Sequence, residues 1–119
     1  MTLASWESIL PPDLPTPCFV VDESRLAANL AVLDGVQRRT GAKILLALKG
    51  FAMFSVFPLL GKVLHGVCAS SPHEARLGRE EFGREVHAFA AAYSDEDMRE
   101  IAAVADHIVF NSFAQRDRF

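Results

Sequence analysis

Lys49 closes the apolar run Ala42-Lys-Ile-Leu-Leu-Ala-Leu-Lys49 and is followed at once by Gly50-Phe-Ala. An amine at the C-terminal end of a buried parallel strand lies where α/β barrels keep their chemistry. Partly desolvated, such an amine can lose its proton near neutral pH and form a Schiff base with a carbonyl compound. The plainer alternative is a lysine that snorkels out of the strand end and keeps its charge in water. Position alone favours that alternative. Other polar groups follow later strand-like runs: Cys68-Ala-Ser-Ser71 with Glu74, then Ala92-Tyr93, then Asn111-Ser112. Converging on one rim, they would offer an amine, hydroxyls, a carboxylate and an amide to a carbonyl cofactor. Ser71-x-x-Glu74 also has the spacing of a helix capping box, and for the pair taken alone that structural role is the stronger reading.

The remaining candidates carry less. His65, His87 and His107 fall within or at the start of strand-like runs, at the end away from the rim, and read as core or bottom-face histidines rather than ligands. His73 is the one histidine near the rim. Arg76, Arg79, Glu80, Glu81 and Arg84 suggest a solvated helix face with pairs in helix register. No G-x-G-x-x-G or Walker pattern offers a phosphate cradle. Cys18 and Cys68 are far apart, without Cys-x-x-Cys or a zinc-type His spacing, so no metal site is expected; they read as small buried residues of a reducing cytoplasm.

The elements that must position these groups follow from periodicity. Residues 1–17 form a leader in which Trp6, Ile9 and Leu10 can dock while Pro11, Pro12, Pro15 and Pro17 keep the chain extended. Cys18 to Val21 is a short strand candidate. Asp22 or Ser24 can cap a helix to about Arg39, with Leu26, Leu30, Leu33 and Val36 on one face and Gly41 as its stop. Strand-like runs at Lys43–Leu48, His65–Ala69, Val86–Ala90 and His107–Phe110 then alternate with helical runs. Those helices are expected over Met53–Val63 (with Pro58 as a kink or late start), Ser71–Phe82 (closed by Gly83) and Ser94–Val104 (capped by Ser94, with Asp97 at the capping-box position). The strands recur about every 21 residues, the spacing of βαβ units on a parallel sheet. The unbroken apolarity of Ile44 to Leu48 suits a strand buried on both faces. Four such units are half of an eight-stranded barrel, so the expected fold is α/β, a partial (βα)8 barrel with an extra N-terminal strand, and its last strand would present an open edge.

Length and composition agree with one globular domain. The chain has 119 residues, half of them hydrophobic, which supports a core but falls short of the ~250 residues of a complete barrel. A net charge of −3 speaks against a nucleic-acid surface. No apolar run reaches the length of a membrane span, and Met1 to Leu10 lacks a signal-peptide pattern.

Taken together, several segments resemble one family. Thr16-Pro-Cys-Phe-Val-Val-Asp22, Gly41 to Lys49, Ser55-Val-Phe-Pro58, Ser70-Ser71 with Glu74-Ala-Arg-Leu-Gly78, Glu81-Phe-Gly83 and His107-Ile-Val-Phe-Asn-Ser112 look like carboxynorspermidine (carboxyspermidine) decarboxylase. That family belongs to the alanine racemase-like, fold-type III enzymes that use pyridoxal 5′-phosphate (PLP). The resemblance runs from about Thr16 to Ser112. It implies that Lys49 anchors PLP, that Ala47 packs near the cofactor, and that Ser71, Glu74 and Asn111 line the rim. It further implies a carboxylated polyamine substrate, loss of its carboxylate as carbon dioxide into the cofactor's electron sink, a cytoplasmic enzyme and a homodimer when full length. Gly50 stands where many relatives carry Cys or another small residue, a change expected to be tolerated.

Members of that family are much longer. Their glycine-rich phosphate loop, the acidic partner of the pyridine nitrogen and the C-terminal β-domain come later in the chain. The expectation is therefore an N-terminal fragment, residues 18–119 being the first part of the barrel, inactive by itself. A non-catalytic PLP carrier and an inactive remnant are the alternatives.

Overall fold

Asp22 begins the first helix: its carboxylate accepts the N–H groups of Ser24 at 2.9 Å and Arg25 at 3.1 Å. This cap satisfies donors that the first turn leaves without helical partners. The computed structural model describes residues 10–119, so Trp6 and Ile9 of the leader lie outside the described residues. Helix α1 (Glu23–Thr40) ends at Gly41, whose φ of 72° is the left-handed conformation that glycine adopts without strain. Leu26, Leu30 and Leu33 turn one face of α1 onto the core.

Beyond α1 the strands and helices alternate as β1 (Leu45–Ala47), α2 (Phe57–Leu60), β2 (Gly66–Ala69), α3 (Pro72–Leu77), β3 (Glu85–Phe89), α4 (Asp95–Ala102), β4 (His107–Val109) and α5 (Phe113–Arg118). The four strands form one parallel sheet in chain order, with Ala47 opposite Cys68, Cys68 opposite His87 and His87 opposite His107. Sequential parallel strands joined by helices are the repeating unit of a (βα)8 barrel, and this chain contains four of them.

The helices cover one face of the sheet. Val67 and Val86 are fully buried there, against Gly78. A Cβ at Gly78 would sit 2.4 Å from Val67 Cγ2, so the missing side chain sets how closely the helix can approach the sheet. A five-residue π-helical stretch, Gly78–Phe82, extends α3 and drops Phe82 against Phe57 in an edge-to-face contact, ring centroids 5.2 Å apart. Gln37 joins three elements at the bottom of the sheet. Its Nε2 donates to Val63 O at 3.0 Å, and its Oε1 accepts from the Ile44 N–H and from His65 Nδ1, each at 2.9 Å.

Several expectations need correction. Cys18 to Val21 is not a strand: it is irregular backbone with Phe19 95% exposed, and no sheet edge receives it. Residues 10–17 carry a turn closed by Leu14 N–H to Pro11 O, so this part of the leader is not uniformly extended. The Met53–Val63 helix reduces to a 3₁₀ turn, Phe54–Val56, and the four residues of α2, because Pro58 fits only a helix's first turn. Strand β1 is buried on one face and open on the other, since no described element lies across from Ala47. Arg76 and Arg79 pair between elements, with Glu100 and Asp106 at 2.8 Å each, rather than along one helix. Cys18 is exposed and Cys68 half-buried, and both are free.

Candidate active site

The end of β1 is shaped by one carbonyl. Ala47 O accepts the N–H groups of Gly50 at 3.0 Å and Phe51 at 3.1 Å, which turns the chain immediately after the strand. Leu48 pairs once more with the sheet, donating to Cys68 O at 3.1 Å, and buries its side chain among the core residues. Lys49 lies in that turn, two residues past the last strand residue Ala47. Its side chain is exposed and makes no hydrogen bond or ion pair among the described residues. The expected partial desolvation is therefore absent in this chain, for the same reason that β1 has an open face.

Ala47 lies one pleat below, exposed, and offers only a methyl group. Gly50 has an ordinary backbone conformation, and a Cβ there would meet Ala47 O at 3.5 Å, normal contact. A small side chain is thus tolerated at that position. Phe19 to Val21 and Gly50 to Met53 enclose an apolar hollow of about 560 Å³ beside the lysine turn.

At the end of β2, Ser71 and Glu74 form a reciprocal cap. Ser71 Oγ accepts the Glu74 N–H at 3.2 Å, and Glu74 Oε2 accepts the Ser70 N–H at 2.6 Å. The pair is thereby committed to starting α3. Ser70, whose type drew no separate attention in the sequence, is the group left over: its Oγ is buried and has no hydrogen-bond partner among the described residues. Ser70 directly follows β2, as the turn that carries Lys49 follows β1. A buried hydroxyl without a partner costs free energy unless something completes it.

Asn111 follows β4 and is exposed. Its Nδ2 donates to Ala91 O at 2.8 Å, tying the loops after β3 and β4 together. The same cap recurs here: Ser112 Oγ accepts the Gln115 N–H at 3.1 Å, and Gln115 Oε1 accepts the Asn111 N–H at 2.9 Å. Three strand spacings separate β4 from β1, about 14 Å, so Asn111 and Lys49 are on one rim without being neighbours. Tyr93 is buried between these loops. Its hydroxyl accepts the Ala90 N–H at 2.9 Å and donates to Val109 O at 3.3 Å, and burial raises its pKa above the ordinary 10.0.

The geometry defines a four-stranded parallel βα sheet of the barrel type with an exposed lysine just after its first strand. No protein-family model matches the chain. It is homologous to polyamine-carboxylate decarboxylases. It is 48% identical over 106 residues to the carboxyaminopropylagmatine decarboxylase of Synechocystis sp.. It is 45% identical to the carboxynorspermidine/carboxyspermidine decarboxylase of Herminiimonas arsenicoxydans and 38% to that of Campylobacter jejuni. Each match takes in 89% of this chain and 27–29% of the relative, so the chain spans less than a third of the length of these relatives. The fold matches the crystal structure of carboxynorspermidine decarboxylase from Campylobacter jejuni in complex with norspermidine, with a TM-score of 0.85 at 38% identity, over 89% of this chain and 29% of that one.

Proposed function

We propose that this chain is the lysine-bearing part of a PLP-dependent decarboxylase acting on a carboxylated polyamine in norspermidine or spermidine biosynthesis. The observation that carries the reading is Lys49: an exposed amine without a partner, at the end of a parallel strand, above a bare Ala47. The residues present fit the cofactor. Lys49 Nζ would be its covalent anchor, Ala47 leaves room for a flat ring, and the Ser70 hydroxyl lacks the partner that a polar ring substituent would supply. Ser71 and Glu74 would hold the β2 rim in shape, and Asn111 would hold the β3 and β4 loops together. When bound, PLP supplies an electron sink for the carbon that loses its carboxylate.

The names of the three relatives share a carboxylated amine and differ in the distal portion. A carboxynorspermidine or carboxyspermidine substrate is the primary reading. The 48% identity to the Synechocystis protein supports carboxyaminopropylagmatine as a second. Both place the reacting carboxylate and amine at the Lys49 rim. The family resemblance supports a homodimer as the working assembly, and the two unpaired cysteines suit a cytoplasmic setting.

The test is direct. The chain is incubated with PLP, reduced with borohydride and digested. The expected result is a phosphopyridoxyl adduct on the peptide containing Lys49, absent in Lys49→Ala. Labelling equal in the two proteins removes the anchor. Carbon dioxide release from carboxynorspermidine, carboxyspermidine and carboxyaminopropylagmatine, assayed in turn, selects the substrate. Release is expected only from a longer protein that contains this segment, and release from none of the three by such a protein removes the decarboxylase reading.

A further inference from the structure

Sequence spacing alone gave no metal site, but the sheet brings three donor side chains together across two strands. We propose that Glu85, His87 and His107 form a binding site for a borderline divalent cation of the zinc class, held across β3 and β4 with one coordination position open. Glu85 and His87 are two residues apart on β3 and therefore share a face. His107 is the direct register partner of His87 on β4. One ligand atom from each of the three lies within 4.8 Å of the others. His87 Nε2 and Glu85 Oε2 are 3.2 Å apart. Two donors bound to one tetrahedral zinc ion are separated by about 3.4 Å, so this pair is already close to ligating distance. The two imidazoles pack with centroids 4.3 Å apart and planes tilted by 30°.

The donor set is two imidazoles and one carboxylate, which suits zinc and its neighbours rather than magnesium or calcium. Three protein ligands leave one tetrahedral position for water or another donor. Among the described residues Glu85 and His87 are half-buried and His107 is exposed. Lys43 is the opposing charge: its Nζ lies 3.3 Å from Glu85 Oε1, leaving Oε2 toward the histidines. A cation here would compete electrostatically with that ammonium. The ion would also cross-link β3 to β4, the exposed edge strand.

The proposal stands apart from Lys49 and is tested without PLP. The full chain, freed of metal with chelator, is titrated with Zn²⁺ by calorimetry and with Co²⁺ by visible absorption. One Zn²⁺ per chain is expected, with a Co²⁺ ligand-field band that Zn²⁺ abolishes. His107→Ala and His87→Gln should each weaken binding by about tenfold or more, a loss of the size that perturbed metal shells show. Glu85→Gln, which keeps the side-chain shape, should do the same with an unchanged circular dichroism spectrum. Lys43→Met should tighten binding. Absence of saturable Zn²⁺ binding, or equal affinity in wild type and in folded Glu85→Gln and His107→Ala, overturns the site.

Discussion

Glu74 Oε2 accepts the Ser70 N–H at 2.6 Å, so the carboxylate beside the Lys49 strand end is held by the backbone. Gln115 repeats the relationship two strands away, accepting the Asn111 N–H at 2.9 Å. A neutral amide makes the second bond, so the local geometry requires an acceptor oxygen rather than a negative charge.

Glu74→Gln should therefore preserve the fold, within about 0.5 kcal/mol of wild type, whereas Glu74→Ala should cost about 1–2 kcal/mol by leaving the Ser70 N–H without its acceptor. Urea unfolding of the two variants measures both. Equal losses would mean that the charge, not the acceptor, is what the rim needs.

Tyr93 links β3 to β4 through both of its hydroxyl bonds. Tyr93→Phe should cost about 1–2 kcal/mol, the cost of leaving a buried backbone N–H without its partner. Burial raises the folded pKa of the phenol above 10.0, so its contribution is fully present below pH 10.0 and is lost as pH rises through the folded value. Stability measured from pH 8 upward should fall more steeply in wild type than in Tyr93→Phe. Parallel curves would exclude Tyr93 as the group responsible.

Asp106 works in the opposite pH range. Its Oδ2 accepts the Val86 N–H and an Arg79 N–H, each at 2.8 Å, and these two bonds hold the carboxyl below its ordinary 3.8. Its stabilisation is present above that value and disappears as pH falls through the lower folded pKa. Asp106→Asn should lower stability at neutral pH and flatten the acid limb of the stability profile. An acid limb as steep as that of wild type would assign the transition to other carboxylates.

Gly66 should accept no side chain. A Cβ there would sit 2.1 Å from Glu85 O, a backbone atom of the neighbouring strand. Gly66→Ala should cost about 3 kcal/mol or more by parting β2 from β3, against the 1–3 kcal/mol typical of overpacking that side chains can absorb. The midpoint of chemical unfolding reads this directly, and a loss below about 1 kcal/mol would show that the strands can separate locally.

Much of this architecture was legible from residue order. Apolar runs recurring every 21 residues between helical segments, with Asp22, Ser71 and Ser94 at the caps, predicted four βα units, and all four form. Local physics suffices for that, because strand burial and helix capping depend on residues close in the chain. Two failures are instructive. Cys18 to Val21 has strand composition but finds no sheet edge, and the helical run over Met53–Val63 shrinks to a 3₁₀ turn and four α-helical residues around Pro58.

The sequence by itself placed Lys49 at the C-terminal end of a parallel strand, since an unbroken apolar run closed by a polar residue is read locally. Only the tertiary structure decided what surrounds that lysine. Capping bonds engaged Glu74, Ser70 Oγ was buried without a hydrogen-bond partner among the described residues, and Lys49 stayed exposed in the turn after β1. The same cross-strand pairing brought Glu85, His87 and His107 together from residues 22 positions apart. Hydrogen bonding between strands sets those neighbours, and no pattern along one segment encodes it.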